Sequence, residues 1–249
     1  MRILFIADVF GKPGRRMVEK RLPGLREELG LDFVVANGEN AADGVGITSA
    51  NGRALFGAGV DVITLGNHAY RQREVYPYLD SEPRVIRPAN MAPSGPGRGE
   101  TVVDAANGVR VGVINLLGRL FLEPSVSPFE IAPRMVAAMR ERADVILVDF
   151  HAEATSEKIA MGRLLDGSVT AVIGTHTHVQ TNDAAVLPGG TAFLTDAGMT
   201  GPHDSVIGVR TDLILRRFTT QLPVRFEPAE GDVRIEGAVI ECGTAGSAM

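Results

Sequence analysis

Apolar and polar positions fall along this chain in short blocks. Runs rich in Val, Ile and Leu recur: "RILFIAD", "DFVVANGEN", "VDVITLGNH", "RVIRPAN", "TVVDA", "VRVGVINLLG", "DVILVDFH", "VTAVIGTH" and "TAFLTDAG". "LPVRFEP" and "DVRIEGAVIEC" come near the end. Such runs are too short for helices and read as strands. Helix-like segments lie between several of them, over residues 14–29, 48–58, 70–79, 129–142, 153–165 and 211–219. Pro23-Gly24 predicts a break or kink in the first of these. Strand–helix alternation through the first two thirds predicts an α/β fold with mixed or parallel sheets. The last third is richer in strands and predicts a second sheet packed on the first. "APSGPGRGE", Ala92 to Glu100, reads as a surface loop and not a linker, so residues 1–249 are expected to form one domain.

Composition narrows the function. The 249 residues are 45% hydrophobic and 22% charged, with a formal net charge of -5. That balance is globular, and the mild acidity argues against sequence-independent binding of long nucleic acid, which needs many Lys and Arg contacts. Small phosphorylated ligands stay open. Cys242 is the single cysteine, so neither an internal disulfide nor a thiolate zinc site can form. No apolar run approaches the length of a membrane span, and "MRILFIADVFG" lacks the pattern of a signal peptide. A soluble, cytoplasmic protein is expected.

The informative feature is where polar residues interrupt the strands. "ILFIA" ends at Asp8, "FVVANG" at Glu39-Asn40, "VITLG" at Asn67-His68, "VILVDF" at His151, and "TAVIG" leads to His176 and His178. Four of the five histidines sit at such ends; His203, in "GPHDS", does not. Each alone has a bland reading: a helix cap for Asp8, a turn for Asn67, a hydrogen-bonded structural imidazole for any histidine. Together they place carboxylates, amides and imidazoles at the strand edge where α/β sheets bind ligands. Such a cluster is costly unless a cation satisfies it. Oxygen and nitrogen donors without thiolate suit Mn, Fe, Co, Ni or Zn. The set exceeds the needs of one tetrahedral zinc and fits two ions about 3.5–4 Å apart.

These blocks resemble the calcineurin-like metallophosphoesterases, whose signature is D-x-H, G-D, G-N-H-[DE], G-H and G-H-x-H at successive strand ends. "NGENAADGVGIT", "RPAN", "DFHAEATSEK", "GTHTHVQT" and "DAGMTGP" look like the YmdB-type branch of that superfamily, over nearly the whole chain. The resemblance implies a four-layer α/β/β/α sandwich of two mixed sheets. It implies a first metal on Asp8, Glu39, Asn40 and His178, and a second on Glu39, Asn67, His151 and His176. Three departures stand out. Phe10 replaces the His of D-x-H, Glu39-Asn40 replaces the bridging Asp, and Ala69 replaces the acid after G-N-H. Asn40 then takes the vacated place while Glu39 bridges. An amide oxygen in place of an imidazole favours Fe or Mn over Zn. Without an acid at position 69, what orients His68 is unreadable. In an extended segment His176 and His178 would point the same way, each toward one ion.

The implied activity is hydrolysis of small cyclic nucleotides, 2',3'- or 3',5'-cyclic, by a hydroxide held between two metals, with His68 as general acid. The alternatives are a phosphomonoesterase on the same site and a regulatory protein that binds metal and nucleotide with little turnover. Assembly into a homo-oligomer is open. Aromatic platforms are scarce, with no Trp and three Tyr; Phe10, Phe121, Phe129 and Phe150 are candidates for stacking. Arg87 and Arg119 read equally as phosphate ligands or as structural ion-pair partners. "MTGP" with His203 reads either as a loop over the site or as a bystander. "RRMVEKR" reads as a solvated helix face, "GVG" at 44–46 as a turn, and "CGTAGSAM" as a frayed tail.

Overall fold

The computed structural model describes residues 1–243. In chain order its first strands are β1 (Arg2–Ile6), β2 (Asp8–Val9), β3 (Phe33–Asn37), β4 (Val62–Thr64), β5 (Val85–Ile86), β6 (Glu100–Asp104) and β7 (Arg110–Leu117). They are followed by β8 (Val145–His151), β9 (Ala171–Thr175), β10 (Ala185–Val186), β11 (Ala192–Leu194), β12 (Met199–Pro202), β13 (Val233–Arg234) and β14 (Gly237–Glu241). The helices are α1 (Gly11–Leu29), α2 (Ser49–Gly57), α3 (Tyr76–Ser81), α4 (Pro128–Arg140), α5 (Thr155–Leu165) and α6 (Thr211–Thr220).

Two mixed sheets carry the fold. The first has the order β14-β1-β3-β4-β5, parallel except for β14. The second has the order β10-β11-β9-β8-β7-β6, parallel at its centre and antiparallel at both edges. β13-β12-β2 form a small third sheet. The central strands are apolar on both faces because both faces are covered. Along β1, Ile3 and Phe5 join a core shared with Val113, Leu147 and Ile173 of the second sheet. Leu4 and Ile6 pack instead with Val18 and Leu22 of α1 and Leu55 of α2. Along β8, Ile146, Val148 and Phe150 pack with Val136 of α4 and Met161 of α5. Each such side chain fully buried is worth about 1.5–3 kcal/mol.

Several expectations need correction. The second sheet begins at β6, well before the last third, and β14 returns to the first sheet. α1 runs unbroken through Pro23. Pro23 and Gly24 lie on its exposed face, where water can satisfy the carbonyl that Pro23 cannot. "LPVRFEP" forms no strand and keeps a lone bridge, Val209 to Pro228, because its apolar residues have no sheet edge beside them. The expected helix over 70–79 shrinks to a 3₁₀ turn, Arg73–Val75, and the short α3. α2 lies where expected, its N-terminus closed by a capping box between Thr48 and Asn51. The expectation of a frayed tail falls on residues 244–249, outside the described ones, save for Cys242 and Gly243. No helix among the described residues is long and apolar enough to cross a membrane.

Candidate metal centre

The strand alternation that fills the core between the sheets also builds the floor of the site. Continuing the inward-facing positions of β3, β4, β8 and β9 toward their C-terminal ends gives Asn37, Thr64, Asp149 and Thr175, all fully buried. Asn37 donates to Asp149 at 3.0 Å, Thr64 donates to the same oxygen, and Thr175 donates to its other oxygen at 2.6 Å. Burial raises the Asp149 carboxyl to about 6, against the pull of His151 and both hydroxyls. Since Thr175 spends its proton on Asp149, it accepts from Nδ1 of His151, 2.9 Å away. That fixes the histidine so that Nε2 faces up into the site.

Three groups converge on that nitrogen. Glu39 Oε1 lies at 3.1 Å, Asn67 Oδ1 at 3.1 Å and His176 Nδ1 at 3.0 Å. Glu39, His151 and His176 can all offer a donor atom within 4.8 Å of one another. Burial works against a charged His151, yet Glu39, with Asp8 and Asp149 behind it, raises it to about 9. Burial and the neighbouring His151 lower His176 to about 4. Burial opposes ionisation of Glu39, but His151 and His68 outweigh it and hold the carboxyl well below its usual range.

Beside this group lie Asp8, Asn40 and His178. Asp8 is fully buried, and its Oδ1 accepts no hydrogen bond; the nearest cationic atom is His178 Nε2 at 3.6 Å. Nδ1 of His178 donates to the Ile207 carbonyl at 3.0 Å, again leaving Nε2 to the site. Asn40 turns its amide nitrogen toward His178 Nε2 at 2.9 Å and its oxygen toward His68 Nδ1 at 2.9 Å. An orphaned carboxylate oxygen, opposed ring nitrogens and an all-oxygen-and-nitrogen donor set fit a divalent cation.

The two histidines of "THTH" arrive by a route other than the expected one. β9 stops at Thr175, and His176 and His178 have φ of 104° and 63°, so the segment is not extended. Asp196 holds this strained turn, accepting from Thr177 N at 3.1 Å and Thr177 Oγ1 at 2.7 Å. Lys158, buried in α5, neutralises Asp196 at 2.5 Å. Nε2 of His176 pairs with Glu153 at 3.0 Å. Phe10 fills the place of the missing imidazole, edge-on to His178 with ring centroids 5.6 Å apart. Gly44, Gly201 and Gly208 lie against its ring and Cβ, where an added Cβ would meet Phe10 atoms at 2.6–2.9 Å.

A YmdB-like protein family model matches residues 4–249. The chain belongs to that family. It is 49% identical over 241 residues to a 2',3'-cyclic-nucleotide 2'-phosphodiesterase of Bacillus subtilis, covering 97% of this chain and 91% of that one. Its structure matches a hypothetical protein from Thermus thermophilus with a TM-score of 0.93 at 44% identity, over 99% and 96% of the two chains. It matches a phosphatase from Mycoplasma pneumoniae with a TM-score of 0.92 at 32% identity, over 100% and 90%.

Within this YmdB-like chain, some expected participants lie apart. "MTGP" is strand β12, paired to β2 through Met199–Asp8 and Thr200–Val9, not a loop over the site. His203 bonds to the Met199 carbonyl at 3.1 Å, and the turn that reaches the site is the one carrying Ile207. Arg87 is buried against the Pro88 carbonyl, and Phe10 and Phe150 are buried too, so none of the three faces a ligand surface. Asp149, Thr175, Asn37, Lys158 and Asp196 escaped the sequence reading. Asp149 and Lys158 left one usable signal: a charged residue inside an otherwise buried pattern.

Proposed function

We propose that this chain is a metal-dependent phosphodiesterase acting on small cyclic nucleotides, 2',3'- or 3',5'-cyclic. The observation that carries the reading is the ring of buried Asp8, Glu39, Asn40 and His151 and part-buried Asn67, His176 and His178 around an unsatisfied carboxylate oxygen. The likeness to the Bacillus subtilis phosphodiesterase supports the substrate class.

Two ions would be held, Fe or Mn in preference to Zn. Asp8, Asn40 and His178 serve one, Asn67, His151 and His176 the other, and Glu39 reaches both. Asn40 serves by a half-turn of its amide that exchanges nitrogen for oxygen. When bound, the ions supply Lewis acidity, lowering the pKa of the attacking water and neutralising phosphoryl charge. Glu39 and Asn40 orient His68, which protonates the leaving oxygen. The three buried clusters support a four-layer α/β/β/α arrangement, with one domain across the chain.

The test compares hydrolysis of 2',3'-cyclic AMP, 3',5'-cyclic AMP and an aryl phosphomonoester, each with Mn²⁺ and with chelator. Chelator-sensitive turnover of a cyclic diester is expected. Turnover of the monoester alone would make the chain a phosphatase, the reading favoured by its likeness to the Mycoplasma pneumoniae protein.

A further inference from the structure

The loop that leaves β7 beside His151 carries an exposed aromatic ring, Phe121. The register pairs Leu117 of β7 with His151 of β8, and the Gly118 N–H donates to the His151 carbonyl at 2.9 Å. The chain therefore leaves the sheet beside a candidate metal ligand, and Phe121 follows three residues after Gly118.

This loop is pinned. The carboxylate of Glu157 accepts the backbone N–H groups of Arg119 at 2.9 Å and Leu120 at 3.3 Å. Further along, the N–H groups of Ser125 and Val126 donate to the Asn90 carbonyl at 2.9 and 3.3 Å. Asn90 also ties the start of the loop to its end, donating to the carbonyls of Leu117 and Val126 at 2.7 and 3.2 Å. Between these anchors Phe121 has φ of 63° and Glu123 of 48°, left-handed conformations that a bulky side chain adopts only under constraint. The strain does not bury the ring: Phe121 is 88% exposed. A phenyl group is thus carried into water from a strained backbone position, on an anchored loop that starts beside His151. Packing gives no reason for it.

The rest of the chain offers little else for a nucleobase. There is no Trp. Tyr70, Tyr76 and Tyr78 pack on the first core. Phe129 packs edge-on against buried Phe150. Phe218 and Phe226 are exposed, but lie on α6 and the segment after it.

We propose that Phe121 is the stacking platform for the base of the substrate, and that Glu157 is a positioning residue that fixes its loop. The inference rests on the cyclic-nucleotide reading of the same site. A rigid aromatic face binds any base, so it confers preference for nucleotides over other phosphodiesters without strong preference among bases.

The Mn²⁺-loaded full chain is assayed on 2',3'-cyclic AMP and on a base-free analogue, methyl ribofuranoside 2',3'-cyclic phosphate. Phe121→Ala is expected to raise KM for the nucleotide about ten-fold, with kcat within about two-fold, and to leave KM for the base-free diester unchanged. Phe121→Tyr is expected to keep the wild-type KM. Phe218→Ala, away from the loop, should change neither. An unchanged nucleotide KM in Phe121→Ala overturns the proposal, as does an equal rise with both diesters. A drop in oligomeric mass of Phe121→Ala on gel filtration would instead assign the ring to a contact between chains. If the wild type hydrolyses neither diester, the functional reading fails first and the proposal falls with it.

Discussion

Nδ1 of His68 lies 2.9 Å from the side-chain oxygen of Asn40, and its backbone N–H donates to Glu39 at 3.0 Å. The superfamily's acid after G-N-H is absent here, and Ala69 is buried and mute. The two residues that hold His68 are the same two that depart from the superfamily pattern at the place of its bridging Asp.

If His68 and Asn40 act as a unit, their losses should not multiply. His68→Ala is expected to lower kcat by about 10²–10⁴-fold while both ions stay bound. Asn40→Leu removes the amide from both His68 and the metal and should cost at least as much. The double variant should fall within about two-fold of Asn40→Leu alone. Steady-state rates at saturating Mn²⁺, with metal content measured on the same samples, decide it. Fully multiplicative losses would separate the two residues.

Thr175 links Asp149 to His151, accepting from the imidazole while donating to the carboxylate. Thr175→Val keeps the shape and deletes the link. The imidazole then loses the partner that fixes its tautomer. Metal affinity is expected to fall about 10–100-fold, the usual cost of removing a ligand's supporting hydrogen bond. Competition against a fluorescent chelator reads this directly. An unchanged affinity would show that the Thr175 hydroxyl does not set the tautomer of His151.

The sequence exposes the site's outer ring more readily than its supports. Asp8, Glu39, Asn40, Asn67, His68, His151, His176 and His178 stand out because they end apolar runs, and the structure gathers all of them at one edge. Asp149, Asn37 and Thr175 sit inside the runs, where strand alternation places them under the candidate ligands only once two sheets face each other. The positive φ of His176 and His178 could not be read either. It depends on Asp196, some twenty residues later, and on Lys158 from another helix. The division into sheets is illegible in the sequence for a similar reason: local pattern identifies strands, while β14 finds its partner β1 across nearly the whole chain.

Lys158 and Asp196 are both almost fully buried and pair at 2.5 Å. Removing one charge strands the other in a low-dielectric interior. Lys158→Met is expected to cost about 3–5 kcal/mol in denaturant unfolding, and Lys158→Met/Asp196→Asn less than the single variant. The double variant keeps an oxygen for Thr177, so the turn carrying His176 and His178 should still form and take up metal. Complete loss of metal from the double variant would mean that the charges themselves shape the turn.

The pH dependence of metal uptake follows from the same buried groups. Glu39 and Asp8 are shifted down and already ionised at pH 7, and His176, near 4, is already neutral. His151, held at about 9, carries a proton at pH 7 that an incoming ion must displace. Uptake at this cluster should therefore release at least the His151 proton, and affinity should rise with pH until about 9 before levelling. Calorimetry in buffers of differing ionisation enthalpy counts the proton; no dependence on buffer would refute the assignment of His151 as a ligand. Stability of the metal-free protein runs the opposite way. The folded-state value of His151 lies above its ordinary 6.5, so its stabilising contribution is complete below that pH and is lost as pH rises toward 9. Metal-free protein should melt at a lower temperature at pH 9 than at pH 6.5, and metal-loaded protein, with that proton already gone, should show a smaller drop.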